Sequence, residues 1–272
     1  MTIDLEALYL DLHRNPELSF QETRTAGIVA EQLRGLSVEV VEGIGGTGVA
    51  GVLRGGGTNG SDGPTVWLRA DMDGLPVEEL TGLDYASTAR GIDPNGVDVP
   101  VMHACGHDMH VTCLLGAVEA LVARKTEWSG TVVAIFQPAE ELGAGAQAML
   151  ADGLYDRVPR PDIVLGQHVT PLPAGTIGVR PGTQMAASDG LTVTLFGRGG
   201  HGSRPHATID PIVMAAATVM RLQTVVSREV DPRDVAAVTV GSIHAGPKNN
   251  IIPAEAKLER SLRYPDDDAR AR

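Results

Sequence analysis

The residue types best suited to metal chemistry lie in the segment 102–110, which reads MHACGHDMH. Thiolate, imidazole and carboxylate groups are the side chains that bind zinc and neighbouring transition metals. A single residue separates Cys105 from His107, so both side chains can face one ion. The dipole of the helix predicted to follow is expected to lower the thiol pKa of Cys105 and favour the thiolate. His103 and His110 are interpreted as solvated or as supporting a ligand, and a capped helix start is the alternative explanation for this segment alone.

Further donors follow apolar, strand-like runs elsewhere in the chain. Glu140 and Glu141 follow one run, His168 follows a second, and Asp71 and Asp73 follow a third. Active sites in open α/β sheets lie beyond the carboxyl ends of the strands, so these side chains are predicted to converge. Taken singly, each also fits an exposed acidic turn or a structural histidine.

Two hydrolytic chemistries are compatible with these residues. In the first, one carboxylate of the pair Glu140 and Glu141 binds a metal ion and the other acts as general base on a water. In the second, Cys105 is a nucleophile and His107 its base, as in a thiol hydrolase. Residues two apart in one turn seldom form a well-angled hydrogen bond, and a thiol hydrolase does not need the glutamate pair or His168. The metal-dependent hydrolase is therefore the favoured hypothesis.

Apolar periodicity predicts an α/β domain followed by a smaller α+β sandwich. The first has helices over 5–12, 26–33, 111–122 and 144–150, and strands over 38–41, 48–53, 65–68, 131–136 and 162–165, the last of them buried. The second has strands over 191–196, 235–243 and 256–262 and a helix over 210–226. We place the boundary near residue 182, giving domains 1–182 and 183–272. Ser19 and Glu22 have the spacing of a capping box for the second helix.

Composition narrows the class of protein. The 272 residues carry a formal net charge of −12, which argues against binding nucleic acid or an anionic membrane. A hydrophobic content of 43% predicts a packed core. The acidic start does not resemble a signal peptide, and no apolar run is long enough to cross a bilayer. Cys105 and Cys113 are too far apart along one helix for a disulfide, so a cytoplasmic location is expected.

Seven stretches of the sequence resemble the M20 metallopeptidases, and within them the aminoacylase-like amidohydrolases that include hippurate hydrolases and auxin-conjugate hydrolases. The matching stretches run through nearly the whole chain in family order. They are LHRNPELS at 12–19, RADMDGLP at 69–76, MHACGHDMH at 102–110, QPAEE at 137–141, GQH at 166–168, GGHGSRPH at 199–206 and NIIP at 250–253.

The resemblance implies a role for each site residue. It implies metal ligation by Cys105, His107, Glu141 and His168, general base catalysis by Glu140, polarisation of the scissile carbonyl by His201 and substrate binding by Asn250. The ligand set would take one or two divalent ions, and zinc, manganese, nickel and cobalt all suit it. Asp71 and Asp73 are expected to support the site, and His206 to add positive charge for a substrate carboxylate.

The function implied is cleavage of the amide bond of N-acyl or N-aroyl amino acids, which are small-molecule substrates. The smaller domain resembles the family's dimerisation domain, so a homodimer through residues 183–272 is expected. In the family the catalytic domain resumes after this domain and supplies a last histidine ligand. Either the sequence is a fragment in which both domains are truncated, or the site lacks one ligand and part of its sheet. Residues 266–272 have the pattern of a helix start without a body, which indicates that the smaller domain is cut short. A metal-dependent exopeptidase or dipeptidase, and a non-catalytic fragment that folds, dimerises and binds metal, are the alternatives.

Overall fold

A computed structural model describes residues 2–58, 60, 62–182 and 185–271. The chain divides into two compact units, of which the first ends at Pro171 and the second starts at Leu172. The predicted boundary near residue 182 lies within the second unit. The fold class is α/β, with a central mixed sheet in the first unit and small antiparallel sheets besides.

The first unit contains seven strands and five α-helices among its described residues. The strands are β1 (Glu39–Ile44), β2 (Gly48–Arg54), β3 (Thr65–Asp71), β4 (Arg90–Ile92), β5 (Asp98–Pro100), β6 (Thr131–Gln137) and β7 (Ile163–Gly166). The helices are α1 (Leu5–Arg14), α2 (Thr23–Gly35), α3 (His107–Ala123), α4 (Gly145–Ala151) and α5 (Leu154–Arg157), with a 3₁₀ turn at Lys125–Glu127.

Five of these strands form one sheet in the order β1-β2-β6-β3-β7. β1, β2 and β6 pair antiparallel, whereas β3 runs parallel to both β6 and β7. Since parallel strands end at the same edge, the segments that leave β3, β6 and β7 start side by side. That edge is where the sequence places its candidate metal ligands.

Apolar side chains cover both faces of the sheet. Leu12, Leu33 and Leu115, from the first three helices, pack with Phe136 of β6 in one buried cluster. Met149 of α4 belongs to a second buried cluster that includes residues of β2, β3 and β6. The sheet is thus held between helices, as the alternation of strand and helical patterns predicts.

β7 departs from its prediction as a buried strand. Ile163, Val164 and Leu165 are 49%, 58% and 52% exposed. The strand lies at the end of the sheet and pairs with β3 alone, so its other edge and both its faces receive little cover from the described residues. An apolar run indicates that a strand suits a buried position, but its actual burial depends on what packs against it.

The predicted capping box at Ser19 and Glu22 does not form. α2 begins at Thr23 with Glu22 at its N-cap, and the Glu22 side chain makes no hydrogen bond to the first turn. The Glu17 carboxylate caps it instead, accepting the N–H groups of Arg24 at 2.9 Å and Thr25 at 2.8 Å. The Ser19 hydroxyl donates instead to Asp73 Oδ2 at 2.6 Å. Buried acceptors distant in sequence thus outcompete the local hydrogen bonds that the motif predicts.

The second unit contains a three-stranded antiparallel sheet and a long helix. Its elements are β8 (Ala187–Phe196), β9 (Gly200–His201), α6 (Pro211–Arg228), β10 (Ala237–Ala245), β11 (Ile251–Ile252), β12 (Glu255–Tyr264) and α7 (Asp267–Ala271), with a 3₁₀ turn at Pro205–Ala207. The sheet order is β10-β12-β8, and Ala215 of α6 packs on Ala256 and Leu258 of β12. This is the predicted strand, helix, strand, strand pattern.

Two further features bear on the class of protein. Among the described residues, every helix is too short or too polar to cross a bilayer. Cys105 and Cys113 are both free thiols.

Candidate metal centre

The candidate site forms at the edge where β3 and β6 end. Asp71 is the last residue of β3 and lies beside Gln137, the last residue of β6. The loops that continue from these strands carry Asp73 and the pair Glu140 and Glu141. α3 starts at the same place, and its first residue is His107.

Five side chains converge there on one small volume. Cys105 Sγ lies 3.3 Å from His168 Nε2. His107 Nε2 lies 3.8 Å from Glu141 Oε1 and 3.7 Å from Glu140 Oε2. Within each of the groups Cys105–His107–His168 and His107–Glu140–Glu141, the donor atoms lie within 4.8 Å of one another. The structure therefore brings together the four predicted ligands and the predicted base.

Two atoms in this volume indicate that the residues fit a cation. His107 Nε2 and Glu141 Oε1 are buried and have no hydrogen-bond partner among the described residues. A buried polar atom without a partner costs roughly 1–3 kcal/mol. A divalent ion between these atoms would satisfy both, and a mixed sulfur, nitrogen and oxygen donor set suits a transition metal.

Asp73 holds three of the converging residues in place. Its Oδ1 accepts from His107 Nδ1 at 3.2 Å and from the Glu140 N–H at 3.1 Å. Its Oδ2 accepts from the Glu141 N–H at 3.0 Å and from the Ser19 hydroxyl. Because Nδ1 donates to Asp73, the lone pair of His107 is on Nε2, the nitrogen that faces the cluster.

Asp71 and His110 hold the segment after β7 in a similar way. His110 Nδ1 lies 2.6 Å from Asp71 Oδ1, and His110 Nε2 accepts the Val169 N–H at 2.9 Å. Burial raises the pKa of Asp71, but the His110 hydrogen bond and the Arg69 charge outweigh it and lower the pKa to about 2. Both ring nitrogens of His110 are therefore hydrogen-bonded, and the ring orients the backbone next to His168. The donor atoms of Asp71, His107 and His110 are also close enough together to hold a metal ion.

Two glycines permit this close packing because they lack a Cβ. Gly106, between Cys105 and His107, is left-handed with φ of +79°, and a Cβ there would lie 2.5 Å from the Val169 side chain. Gly145 starts α4, and a Cβ there would lie 1.5 Å from the Pro138 carbonyl oxygen. A larger residue at either position is expected to displace a loop that carries predicted ligands.

The predicted low pKa of Cys105 is wrong. Burial, followed by the charges of Glu141, Glu140 and Asp71, raises the thiol pKa to about 12. The helix dipole acts over one turn, and nearby carboxylates outweigh it. A cation that offset these negative charges would favour the thiolate.

A family profile decides the relationship of the chain to known proteins. The profile of peptidase family M20/M25/M40 matches residues 67–258. The chain belongs to this family. The resemblance drawn from the sequence motifs is confirmed.

Members of the M20 family align over nearly the whole chain. Thermostable carboxypeptidase 2 of Saccharolobus solfataricus is 42% identical over 265 residues, 96% of this chain and 63% of that protein. Hippurate hydrolase of Campylobacter jejuni is 41% identical over 268 residues, 98% of this chain and 66% of that protein. The crystal structure of the Bacillus subtilis YXEP protein, a dinuclear metal binding peptidase from the M20 family, superposes with a TM-score of 0.71 and 35% identity, covering 98% of this chain and 65% of that one. The chain spans about two thirds of the length of these relatives.

The other residues assigned by the M20 resemblance lie in the second unit. Pairing of β9 with β11 places His201 opposite Ile251, and the Gly202 N–H donates to the Asn250 carbonyl at 2.9 Å. His201 and Asn250 are therefore close in space. His206 lies on the exposed turn Pro205–Ala207. His201 Nδ1 accepts the Ser203 N–H at 3.2 Å, so the neutral ring carries its proton on Nε2.

His103 and His110, for which the sequence allowed either a solvated or a supporting role, are both buried. His110 is fully buried and His103 is 5% exposed, which excludes the solvated alternative for each. Burial lowers the pKa of His103 to about 4, so the ring is neutral. Neither ring nitrogen of His103 has a partner among the described residues, and we have no physical account of this.

His13 forms a network that sequence reasoning missed. Its place in the M20-like stretch 12–19, near the end of α1, is the one sequence feature that singles it out. His13 Nδ1 lies 2.6 Å from Asp108 Oδ2, and Nε2 lies 3.2 Å from Glu79 Oε1. Burial lowers the pKa of His13, but the hydrogen bonds and charges of Asp108 and Glu79 outweigh it and raise the pKa above 6.5. Tyr9 and Tyr85 pack against the ring.

We expect His13→Gln to destabilise the protein in a pH-dependent way. A raised folded-state pKa means that the stabilisation is fully present below about pH 6.5 and is lost as pH rises through the folded value. Leaving buried carboxylates without their cation costs roughly 3–5 kcal/mol. The difference in free energy of unfolding between wild type and variant should therefore be larger at about pH 5.5 than at about pH 8.5, by urea titration. An equal difference at both pH values would contradict the charged pairing.

Proposed function

We propose that this chain is the metal-binding portion of an amidohydrolase that cleaves the amide bond of N-acyl or N-aroyl amino acids. The observation that carries the proposal is the convergence of two buried, unpartnered atoms, His107 Nε2 and Glu141 Oε1, next to Cys105 and His168. Membership of a hydrolase family and the 41% identity to a hippurate hydrolase support the choice of reaction.

Cys105, His107, Glu141 and His168 would hold one or two divalent ions. Such an ion supplies Lewis acidity and lowers the pKa of a water toward ~7. The dinuclear relative supports two ions, with Asp71 close enough to contribute since its Oδ2 lies 3.6 Å from His107 Nε2. Zinc, manganese, nickel and cobalt remain the candidates, because the ion bound in a cell depends on coordination geometry and metal availability as well as on the affinity of the donor set.

Glu140 is the proposed general base. Its side chain is 40% exposed, against 19% for Glu141, so it can meet both water and substrate while its neighbour faces the ion. Glu140 would accept the proton of the attacking water and then deliver it to the leaving amine. Its backbone N–H is fixed by Asp73, which limits where the carboxylate can reach.

Residues of the second unit would recognise the substrate. The proton on His201 Nε2 suits a donor that polarises the scissile carbonyl. Asn250 and His206 would bind the free carboxylate of an N-acyl amino acid through an amide donor and positive charge. We further propose that the protein is cytoplasmic and forms a homodimer through this unit, where Phe196, Val213 and Met220 are exposed apolar side chains.

A metal-dependent exopeptidase is a second candidate. Two relatives at 42% identity are thermostable carboxypeptidases. Both reactions break an amide bond next to a free carboxylate, so the same residues would serve either. A fragment that folds and binds metal without catalysis is the third possibility, because the chain spans only part of its relatives.

Turnover by the purified chain separates the three. We expect hydrolysis of hippurate or an N-acetyl amino acid that requires added divalent metal, stops with a chelator and exceeds hydrolysis of a dipeptide. Faster cleavage of the dipeptide would favour the exopeptidase. Elemental analysis that finds bound metal without turnover of any amide would leave the non-catalytic fragment.

A further inference from the structure

Glu22 is a buried carboxylate outside the set of predicted ligands. Its side chain has no exposed surface, although it stands at the first residue before α2. Burial raises the pKa of Glu22, with hydrogen bonds acting in the opposite direction. Burying a carboxylate costs free energy unless hydrogen bonds compensate for the lost water. The groups that donate to Glu22 therefore indicate its role.

The partners of Glu22 are distant segments of the first unit. Oε1 accepts the Ala139 N–H at 2.8 Å, across 117 residues of sequence, and the Phe20 N–H at 3.0 Å. Oε2 accepts the Thr47 hydroxyl. The carboxylate therefore ties the start of α2 and the turn between β1 and β2 to the loop that follows β6.

Ala139 adopts a strained conformation at this contact. Its φ is +46°, in the left-handed region that favours glycine, and it is fully buried. Such a conformation costs about 1–3 kcal/mol and persists only where the surroundings enforce it. The next two residues are Glu140 and Glu141, so the backbone at Ala139 sets the direction in which both side chains leave.

Two buried carboxylates thus accept three consecutive backbone N–H groups. Glu22 accepts that of Ala139, and Asp73 accepts those of Glu140 and Glu141. The Ala139 carbonyl oxygen accepts the Ala144 and Gly145 N–H groups at 3.3 Å and 3.1 Å. The Ala139 N–H is the group at the entry to this turn that Asp73 does not bind, and it donates to Glu22.

We propose that Glu22 is a positioning residue of the metal centre, which holds Ala139 left-handed and thereby aims Glu141 at the ion and Glu140 at the water. This inference rests on the proposed function, since it assigns Glu22 a task only if the centre binds metal. Supporting contacts of this kind typically change metal affinity by about 10–100-fold when they are removed.

The test measures Co²⁺ binding by the chain and its variants with a competing chelator, together with the absorption band of the cobalt–thiolate bond. We expect Glu22→Ala to weaken Co²⁺ affinity by about 10–100-fold and to alter the band. Glu22→Gln keeps a carbonyl acceptor for Ala139, so it should restore affinity to within about threefold of wild type. Glu22→Asp, one methylene shorter, is expected to fall between them.

Glu119→Ala is the matched control. The Glu119 carboxylate also accepts a backbone N–H distant in sequence, that of Ile3 at 3.0 Å, but it lies far along α3 from His107. The control should lower thermal stability and leave Co²⁺ affinity and the cobalt band unchanged. Circular dichroism at the assay temperature verifies that each variant is folded.

Co²⁺ affinity of the variants tests the role of Glu22, and Co²⁺ affinity of the wild-type chain tests the proposed metal centre. Wild-type Co²⁺ affinity in a folded Glu22→Ala protein would overturn the positioning role and leave Glu22 as a stabilising residue only. If Glu22→Ala does not fold, wild-type affinity in Glu22→Asp would overturn it equally. Failure of the wild-type chain itself to bind Co²⁺ would remove the proposed centre, and the role of Glu22 with it.

Discussion

Replacing Glu140 with glutamine is expected to reduce turnover by about 10²–10⁴-fold while the protein keeps its metal. Glutamine preserves the volume of the side chain and the backbone N–H that donates to Asp73, but the amide cannot accept a proton at neutral pH. The loss should appear in kcat, because the variant forms the same contacts with the ground-state substrate. Steady-state kinetics on an N-acyl amino acid, with elemental analysis of the same preparation, measures both quantities.

Glu141→Gln is the natural comparison for this variant. Glu141 is the more buried of the pair, and its unpartnered Oε1 faces His107. Its substitution should therefore reduce activity through weaker metal binding, which excess metal partly restores. Excess metal should leave Glu140→Gln inactive. A Glu140→Gln protein with more than about a tenth of wild-type kcat would exclude Glu140 as the base.

Substitution of Asp73 by asparagine has the second largest expected effect. Both carboxylate oxygens accept from fixed donors, so either orientation of an amide turns its N–H₂ toward a backbone N–H. We expect metal affinity to fall by about 10–100-fold, because His107 and the glutamate loop lose their common anchor. Unsatisfied buried donors cost roughly 1–3 kcal/mol each, so thermal stability should fall as well.

Ser19→Ala provides the control for Asp73. It removes one of the four donors to the carboxylate and leaves the other three in place. Its effect on metal affinity should stay within about threefold. If Asp73→Asn binds metal as tightly as Ser19→Ala does, Asp73 does not orient the ligands and the centre is held by its other contacts.

Much of the fold follows from local pattern. The apolar runs at β2, β3 and β6 and the helical spacing of α1, α3 and α6 predict their elements within a few residues. A strand covered on both faces is apolar along its length, whereas a helix that buries one face repeats its apolar residues with the helical period. Prediction failed at β7, whose apolar composition suits a buried strand although the strand lies exposed at the edge of the sheet. The exposure of a strand depends on the segments that pack against it, and these are distant from it in sequence.

Local pattern also predicted which side chains meet at the candidate site. The glutamate pair follows β6, His168 follows β7 and Cys105 precedes α3. The carboxyl ends of parallel strands share one edge, so these side chains were expected to meet. Local pattern misjudged the thiol of Cys105, because the carboxylates that raise its pKa arrive from other segments of the chain. Electrostatic environment depends on distances in space, and sequence spacing does not supply them.

The sequence by itself determined the family, the order of strands and helices and the residues with the chemistry to bind a metal ion, since these depend on residue type and spacing. Only the tertiary structure decided what holds those residues in place. Ser19 and Glu22 resemble a helix cap in sequence, yet the folded chain directs them to Asp73 and Ala139, 54 and 117 residues away. A side chain bonds to the best acceptor or donor within its reach, and folding determines which groups come within reach.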